Sequence, residues 1–255
     1  MTNIYSPSTS LPAKINRRLI PFRAKRNLGI KLDRPLISLT FDDCPKSVVD
    51  NALPLIEQEG WQASLYMSMG LCSSTNHLGL HMSESDVTAA YASGHEIADH
   101  TYSHIDVTTV SKDEFEKDVE RNQEKLNELG LPESQTFAYP YGQVNIGAKR
   151  IVEEKFKAAR GITSHVHRGS VDLNQFNSNR LYSGHAHKKL LKEIRSLRDN
   201  PGWLTIFTHD VRDTPSDFGC TPDQLKTVIS AIKDIGADVM TVANAIKHLE
   251  NKHAA

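Results

Sequence analysis

From about residue 36 onward, continuous apolar runs alternate with stretches whose apolar positions recur every three or four residues. Residues 36–41 (LISLTF) are a strand-length apolar run. Residues 48–59 follow with helical spacing, kinked or delayed by Pro54. Residues 63–69 predict a second strand, 85–93 a helix stopped by Gly94, and 95–99 a short strand. The clearest helix is 111–129: Ser111 and Glu114 form a capping box, Phe115, Val119 and Leu126 share a face, and Gly130 ends it. Strands at 136–139, 156–162, 180–182, 203–208 and 239–241 are predicted between helices at 146–155, 186–197, a segment opened by Thr221-Pro222-Asp223-Gln224, and the C-terminal stretch.

Strand–helix alternation over this length predicts an α/β fold with a parallel sheet, open or closed into a barrel. No linker, repeat or low-complexity tract divides it, so residues 34–255 read as a single domain. Residues 1–33 read as a basic N-terminal arm: Lys14, Arg17, Arg18, Arg23, Lys25, Arg26 and Lys31 all precede Asp33, the first acidic residue. A membrane-surface or polyanion contact is one reading of that bias. A solvated arm lying over the domain is preferred, because the segment shows no clean amphipathic period.

Composition narrows the function classes. The chain has 255 residues, 38% hydrophobic and 24% charged, with net charge −1. It can bury a full core, and it carries no electrostatic footprint for nucleic acid. No apolar run approaches the roughly 18 residues of a membrane span. Residues 1–11 lack a basic-then-apolar leader pattern and the three cysteines form no C-x-x-C, so reduced thiols and a cytoplasmic location are expected. Oligomeric state is left open.

Candidate chemistry falls at predicted strand ends, where such folds place ligands. Asp42 and Asp43 are adjacent, so on an extended backbone one can hold a metal while the other faces substrate. The competing reading is a turn or helix-cap pair before Pro45. His100 and His104 are spaced i, i+4, which on a helical turn would put both rings on one face. With 12 histidines about half such a pair arises by chance, and His77 and His81 share the spacing in a segment read as surface loop. The strand end at Ile97-Ala98-Asp99 is what favours His100 and His104. Two histidines and one aspartate leave a coordination position open on a zinc-like ion, which acidifies water toward pKa ~7 and polarises a carbonyl. Asp42 could then act as base, and His209 as the acid that protonates a leaving group, against the alternative of a structural histidine. The pairs His165/His167 and His185/His187 read as exposed loop residues, with weak extra metal binding as the alternative. In the turn Tyr139-Pro140-Tyr141-Gly142, the Tyr141 N–H could face an oxyanion.

In this order the segments resemble the polysaccharide deacetylases, the fourth family of carbohydrate esterases. The family's T-F-D-D-G-P is Thr40-Phe41-Asp42-Asp43-Cys44-Pro45 here. Its H-[ST]-x-x-H is His100-Thr101-Tyr102-Ser103-His104, its R-x-P-Y-G is Ala138-Tyr139-Pro140-Tyr141-Gly142, and its late histidine is His209. The resemblance spans about residues 36–249. It implies a distorted (β/α) barrel of about seven strands and one divalent metal on Asp43, His100 and His104. Zinc comes first, with cobalt, nickel or iron compatible. It also implies Asp42 as base, His209 as acid, an oxyanion held by the metal and Tyr141 N–H, and an acetylated sugar or glycan as substrate.

Three departures stand out. Ala138 occupies the place of the arginine that orients the base; Arg160 is expected to supply that charge, with Arg180 as its rival. Cys44 replaces a glycine, read as a tolerated small side chain rather than a redox-sensitive thiol. The fourth motif is not evident, leaving Asp172, Asp210 and Asp213 as candidates to tune His209. Two other functions remain in view: a deformylase or cyclic amide (ureide) hydrolase using the same site, and a carbohydrate-binding relative without turnover. The missing arginine favours the latter; retention of Asp42 argues against it.

Overall fold

The computed structural model describes residues 10–254. In chain order its strands are β1 (Asn27–Ile30), β2 (Leu36–Asp42), β3 (Ser64–Met67), β4 (Thr75–Asn76), β5 (Gly79–Leu80), β6 (Glu96–Asp99), β7 (Thr136–Ala138), β8 (Ala158–Arg160), β9 (Gly169–Asp172), β10 (Asn179–Arg180), β11 (Trp203–Thr208) and β12 (Asp238–Val239). Its α-helices are α1 (Leu11–Leu19), α2 (Leu53–Glu57), α3 (Glu84–Ala92), α4 (Lys112–Glu128), α5 (Ile146–Lys155), α6 (His185–Ser196), α7 (Pro222–Asp234) and α8 (Val242–Ala254).

Every position of β2 and β11 is buried, as continuous apolar runs require when both faces of a parallel sheet are covered. Seven parallel strands in the order β10-β11-β2-β3-β6-β7-β8 curl into a half-barrel, the distorted (β/α) barrel that was expected. β12 pairs beside the start of β2, with Asp238 opposite Leu36. The edge strands β8 and β10 do not pair with each other. The irregular stretch 173–178 fills that seam: Ala159 N–H donates to Leu173 O at 2.7 Å, Gly161 N–H to Phe176 O at 2.7 Å and Ser178 N–H to Thr163 O at 3.1 Å. The main core packs Leu39, Leu65, Ile206 and Val228 between sheet and helices. A second core under α4 and α5 joins Phe115, Phe137, Val152 and Phe156.

Both capping boxes form. Ser111 Oγ accepts from Glu114 N–H while the Glu114 carboxylate accepts from Ser111 N–H, and Thr221 and Gln224 do the same. The helix expected over 48–59 divides: a wide π-type turn (Val48–Ala52) leads into α2, with Pro54 in its first turn, where the missing N–H costs nothing.

The N-terminal expectation needs correction. Residues 20–30 are no solvated arm. Ile20 and Ile30 are buried, β1 pairs antiparallel with β9, and the buried Lys149 donates to Arg23 O and to Asp172. Ahead of them α1 does carry an amphipathic period: Leu11, Ile15 and Leu19 are exposed while Ile20 turns inward. The stripe is only three residues long, too short to stand out in a window of sequence. No described helix is long and apolar enough to cross a membrane.

Candidate active site

The chain leaves β2 through two consecutive left-handed residues, Asp43 (φ 57°) and Cys44 (φ 49°). That bend sends the two aspartates to different partners. It also explains why a glycine suits position 44, where a side chain is strained. Cys44 is fully buried, and its thiol donates weakly to Phe41 O and Tyr66 O. Burial, with the Asp42 and Asp43 carboxylates, pushes its pKa well above the usual thiol value, so the redox-sensitive alternative does not stand.

His100 and His104 do not share a helical turn. They sit in a loop after β6 in which Thr101 (φ 61°) and His104 (φ 52°) are left-handed. Polar contacts hold this shape. Asp99 accepts from Thr101 N–H at 2.8 Å, Asn122 at 2.9 Å and Gln123 at 2.5 Å, and Asp118 accepts from the N–H and hydroxyl of Ser103. Burial still raises the Asp99 carboxyl to about 6 against those donors. His100 Nδ1 donates to Ala138 O at 2.7 Å, which commits its tautomer and leaves Nε2 as a ligand atom.

Asp43 Oδ1 lies 3.6 Å from His100 Nε2 and 3.2 Å from His104 Nε2. One ligand atom from each residue falls within 4.8 Å of the others. This Oδ1 is buried without a hydrogen-bond partner. Two imidazole nitrogens converging on an orphaned carboxylate oxygen fit a divalent cation, zinc included. Burial opposes the Asp43 charge, yet His104 and His100 hold its carboxyl down at about 2. Burial and the neighbouring His104 push His100 down to about 4, although Asp42 and Asp43 favour its charged form. Among the described residues this is the one three-ligand group of its kind.

The histidines read as peripheral divide. His77 is exposed at the cleft, edge-on to Phe218. His81 is buried, because the β4–β5 hairpin folds it back against Pro45, and its Nδ1 lies 3.2 Å from Ser74 O. His167 is buried too: its Nε2 accepts from Asn177 N–H and its ring lies against Trp203. His185 and His187 open α6 instead of lying on an extended segment.

Arg160 donates through its Nη2 to Asp42 Oδ1. Its Nη1 donates to Ser178 Oγ at 3.1 Å and Gly161 O at 3.3 Å. Register explains the contact. Arg160 pairs with Ala138 across β7 and β8, so its side chain rises beside the place where the family's arginine would stand. Arg180 is exposed on the cleft wall.

His209 Nδ1 donates to Phe218 O at 3.2 Å, and its ring is flanked by Tyr182, Phe207 and Phe218. Two of the three candidate aspartates are engaged elsewhere: Asp172 pairs with Lys149, and Asp210 is held by Arg212 and Ser216. A backbone carbonyl takes the place sought for a carboxylate. Tyr141 (φ 57°) packs its ring edge-on to His104 at 4.4 Å. Gly142 behind it is obligatory, since a Cβ there would meet Ile162 at 2.2 Å.

Asp42, Asp43, His100, His104, Tyr141 and His209 line one cleft of about 410 Å³. Leu71, Ile162, Tyr182, Phe207 and Phe218 complete its walls, and the sequence reading missed all five. Phe207 stands two residues before His209, the period of one strand face, a signal that was available. Leu71 ends a single 3-10 turn, and Ile162, Tyr182 and Phe218 come from irregular segments, so none carries a periodic signal.

These environments fix an acid response. His100 and His167, each lowered to about 4 by burial, take up protons in the unfolded chain first, so their contribution is complete above pH ~6.5 and lost as pH falls toward 4. The raised Asp99 runs the other way and offsets about one histidine. The metal-free protein is therefore expected to lose about 3–4 kcal/mol between pH 6.5 and 4. Urea midpoints across that range check it; a flat profile contradicts it.

The family model for polysaccharide deacetylases matches residues 29–155. No curated protein matches the chain. Among solved structures, the Xyl-CE4 domain of a multidomain xylanase from the hindgut metagenome of Trinervitermes trinervoides is 21% identical, with a TM-score of 0.60 over 88% of this chain and 93% of that one. A family 4 acetyl xylan esterase from Clostridium thermocellum, solved with a cobalt ion, is 20% identical at TM-score 0.60, covering 85% and 92%. A peptidoglycan N-acetylglucosamine deacetylase is 20% identical at TM-score 0.58, covering 89% and 94%. At these identities the likeness to solved structures is one of fold.

Proposed function

This chain belongs to the polysaccharide deacetylase superfamily, and on that premise we propose that it is a metal-dependent hydrolase removing acetyl groups from an N-acetylated or O-acetylated sugar or polysaccharide. One observation supports the reading: the orphaned Asp43 Oδ1 faces two histidine nitrogens, while the neighbouring Asp42 lines the same cleft and is gripped by Arg160. A non-catalytic binder has no need of that second carboxylate.

When bound, a divalent cation would be held by Asp43, His100 and His104 and would supply Lewis acidity to the acetyl carbonyl and to water. Asp42, at the cleft floor, takes a proton from the attacking water as the new C–O bond forms, and Arg160 fixes the carboxylate for that transfer. His209 keeps Nδ1–H on the Phe218 carbonyl, which leaves Nε2 to give a proton to the departing nitrogen or oxygen as the old bond breaks. The N–H of Tyr141 supports the oxygen on which charge develops. Acetate and a free amine or hydroxyl on the sugar are the products.

Purified protein is expected to release acetate from an N- or O-acetylated sugar. Chelation should slow this at least about tenfold and added zinc or cobalt should restore it. A panel including formylated sugars and cyclic amides supplies the contrast. Turnover of those compounds without acetate release would overturn the proposal.

A further inference from the structure

Four of the six large hydrophobic side chains exposed among the described residues lie between residues 11 and 22: Leu11 (71%), Ile15 (48%), Leu19 (43%) and Phe22 (76%). At about 100° per residue, Leu11, Ile15 and Leu19 form a single stripe along α1. The helix is held to the barrel by its other side. Asn16 Nδ2 donates to Val144 O at 2.9 Å and Ile20 is buried among Val107, Phe115 and Tyr139. Exposed Lys14 and Arg18 border the stripe, and exposed Arg23 and Lys25 follow Phe22. No aspartate or glutamate occurs before Asp33.

We propose that α1 and Phe22 dock this protein on the surface of a bilayer rich in anionic lipid, the apolar stripe entering the acyl boundary and the flanking lysines and arginines meeting the headgroups. An apolar stripe edged with cations and free of anions is the pattern of an interfacial helix. A second copy is a poor occupant, since a two-fold contact through the stripe would crowd the lysines and arginines of both copies together with no acidic residue of this segment to offset them. Val144, where α1 is anchored, lies two residues beyond Gly142 in the turn that lines the cleft. Docking on lipid therefore holds the cleft close to the membrane.

The full chain is expected to co-float with vesicles of phosphatidylcholine plus phosphatidylglycerol at low salt, to stay behind with phosphatidylcholine alone, and to be released by high salt. Lys14→Glu with Arg18→Glu, and separately Ile15→Ser with Leu19→Ser and Phe22→Ser, should each lower vesicle partition by about tenfold or more with an unchanged melting temperature. No binding of the unaltered chain to anionic vesicles overturns the proposal. So does binding indifferent to salt and to both sets of substitutions, or a dimer in sedimentation that the serine variant dissociates.

Discussion

Asp42→Asn is expected to lower kcat by about 10²–10⁴-fold while the protein still takes up its full complement of metal. Asparagine keeps the shape of the side chain and can still accept from Arg160, but it cannot receive a proton at neutral pH. The group of atoms placed to hold a cation comes from Asp43, His100 and His104 and includes none of Asp42. Acetate-release kinetics set beside metal content per chain separate the two functions. A variant with unchanged kcat would remove Asp42 from the chemistry, and one that loses metal as well would mean that the two carboxylates act as a single unit.

Arg160→Ala should cost both stability and rate. The side chains of the pair are only 1% and 5% exposed, and deleting one member of a buried ion pair typically costs about 3–5 kcal/mol because the other is left uncompensated. Without the guanidinium the Asp42 carboxylate loses the partner that fixes its orientation, so kcat is expected to fall by about tenfold or more. Lysine should not rescue, since a single ammonium cannot reproduce the fork that spans Asp42, Ser178 and Gly161. The register that pairs position 160 with position 138 adds a sharper check: Ala138→Arg in the Arg160→Ala background should recover part of the lost rate. Urea midpoints and kcat values decide. An Arg160→Ala protein with unaltered stability and kcat contradicts the assignment, whereas Arg180→Ala, at an exposed position, should leave stability unchanged.

What could be read in the chain before its structure depended on how locally each feature is encoded. The barrel strands announce themselves as apolar runs because both faces are buried, and the capping boxes are complete within four residues. The convergence of Asp43, His100 and His104 could be anticipated because Asp43 and His100 follow strands closely. The helical argument for His100 and His104 was wrong, because spacing along a chain carries no information about the left-handed turns at Thr101 and His104, which Asp99 and Asp118 enforce. Arg160 could be named as a candidate, yet only its pairing with Ala138 distinguishes it from Arg180. Pairing of β1 with β9, contacts from Phe218 to His209 and burial of His81 all depend on segments distant in sequence or on loop conformation. No periodic pattern encodes them.

The half-barrel is stitched between β8 and β10 by irregular backbone, and that stitching also steadies the arginine. Gly161 O and Ser178 Oγ, which receive Arg160, belong to the joint, while Asp43, His100 and His104 follow β2 and β6, inside the strand order and away from its two edges. Any loosening of the joint on warming would thus reach the guanidinium, and the carboxylate it restrains, before the other three side chains. Warming should erode proton abstraction before it loosens the grip on the cation, giving the protein a range in which it is loaded but sluggish.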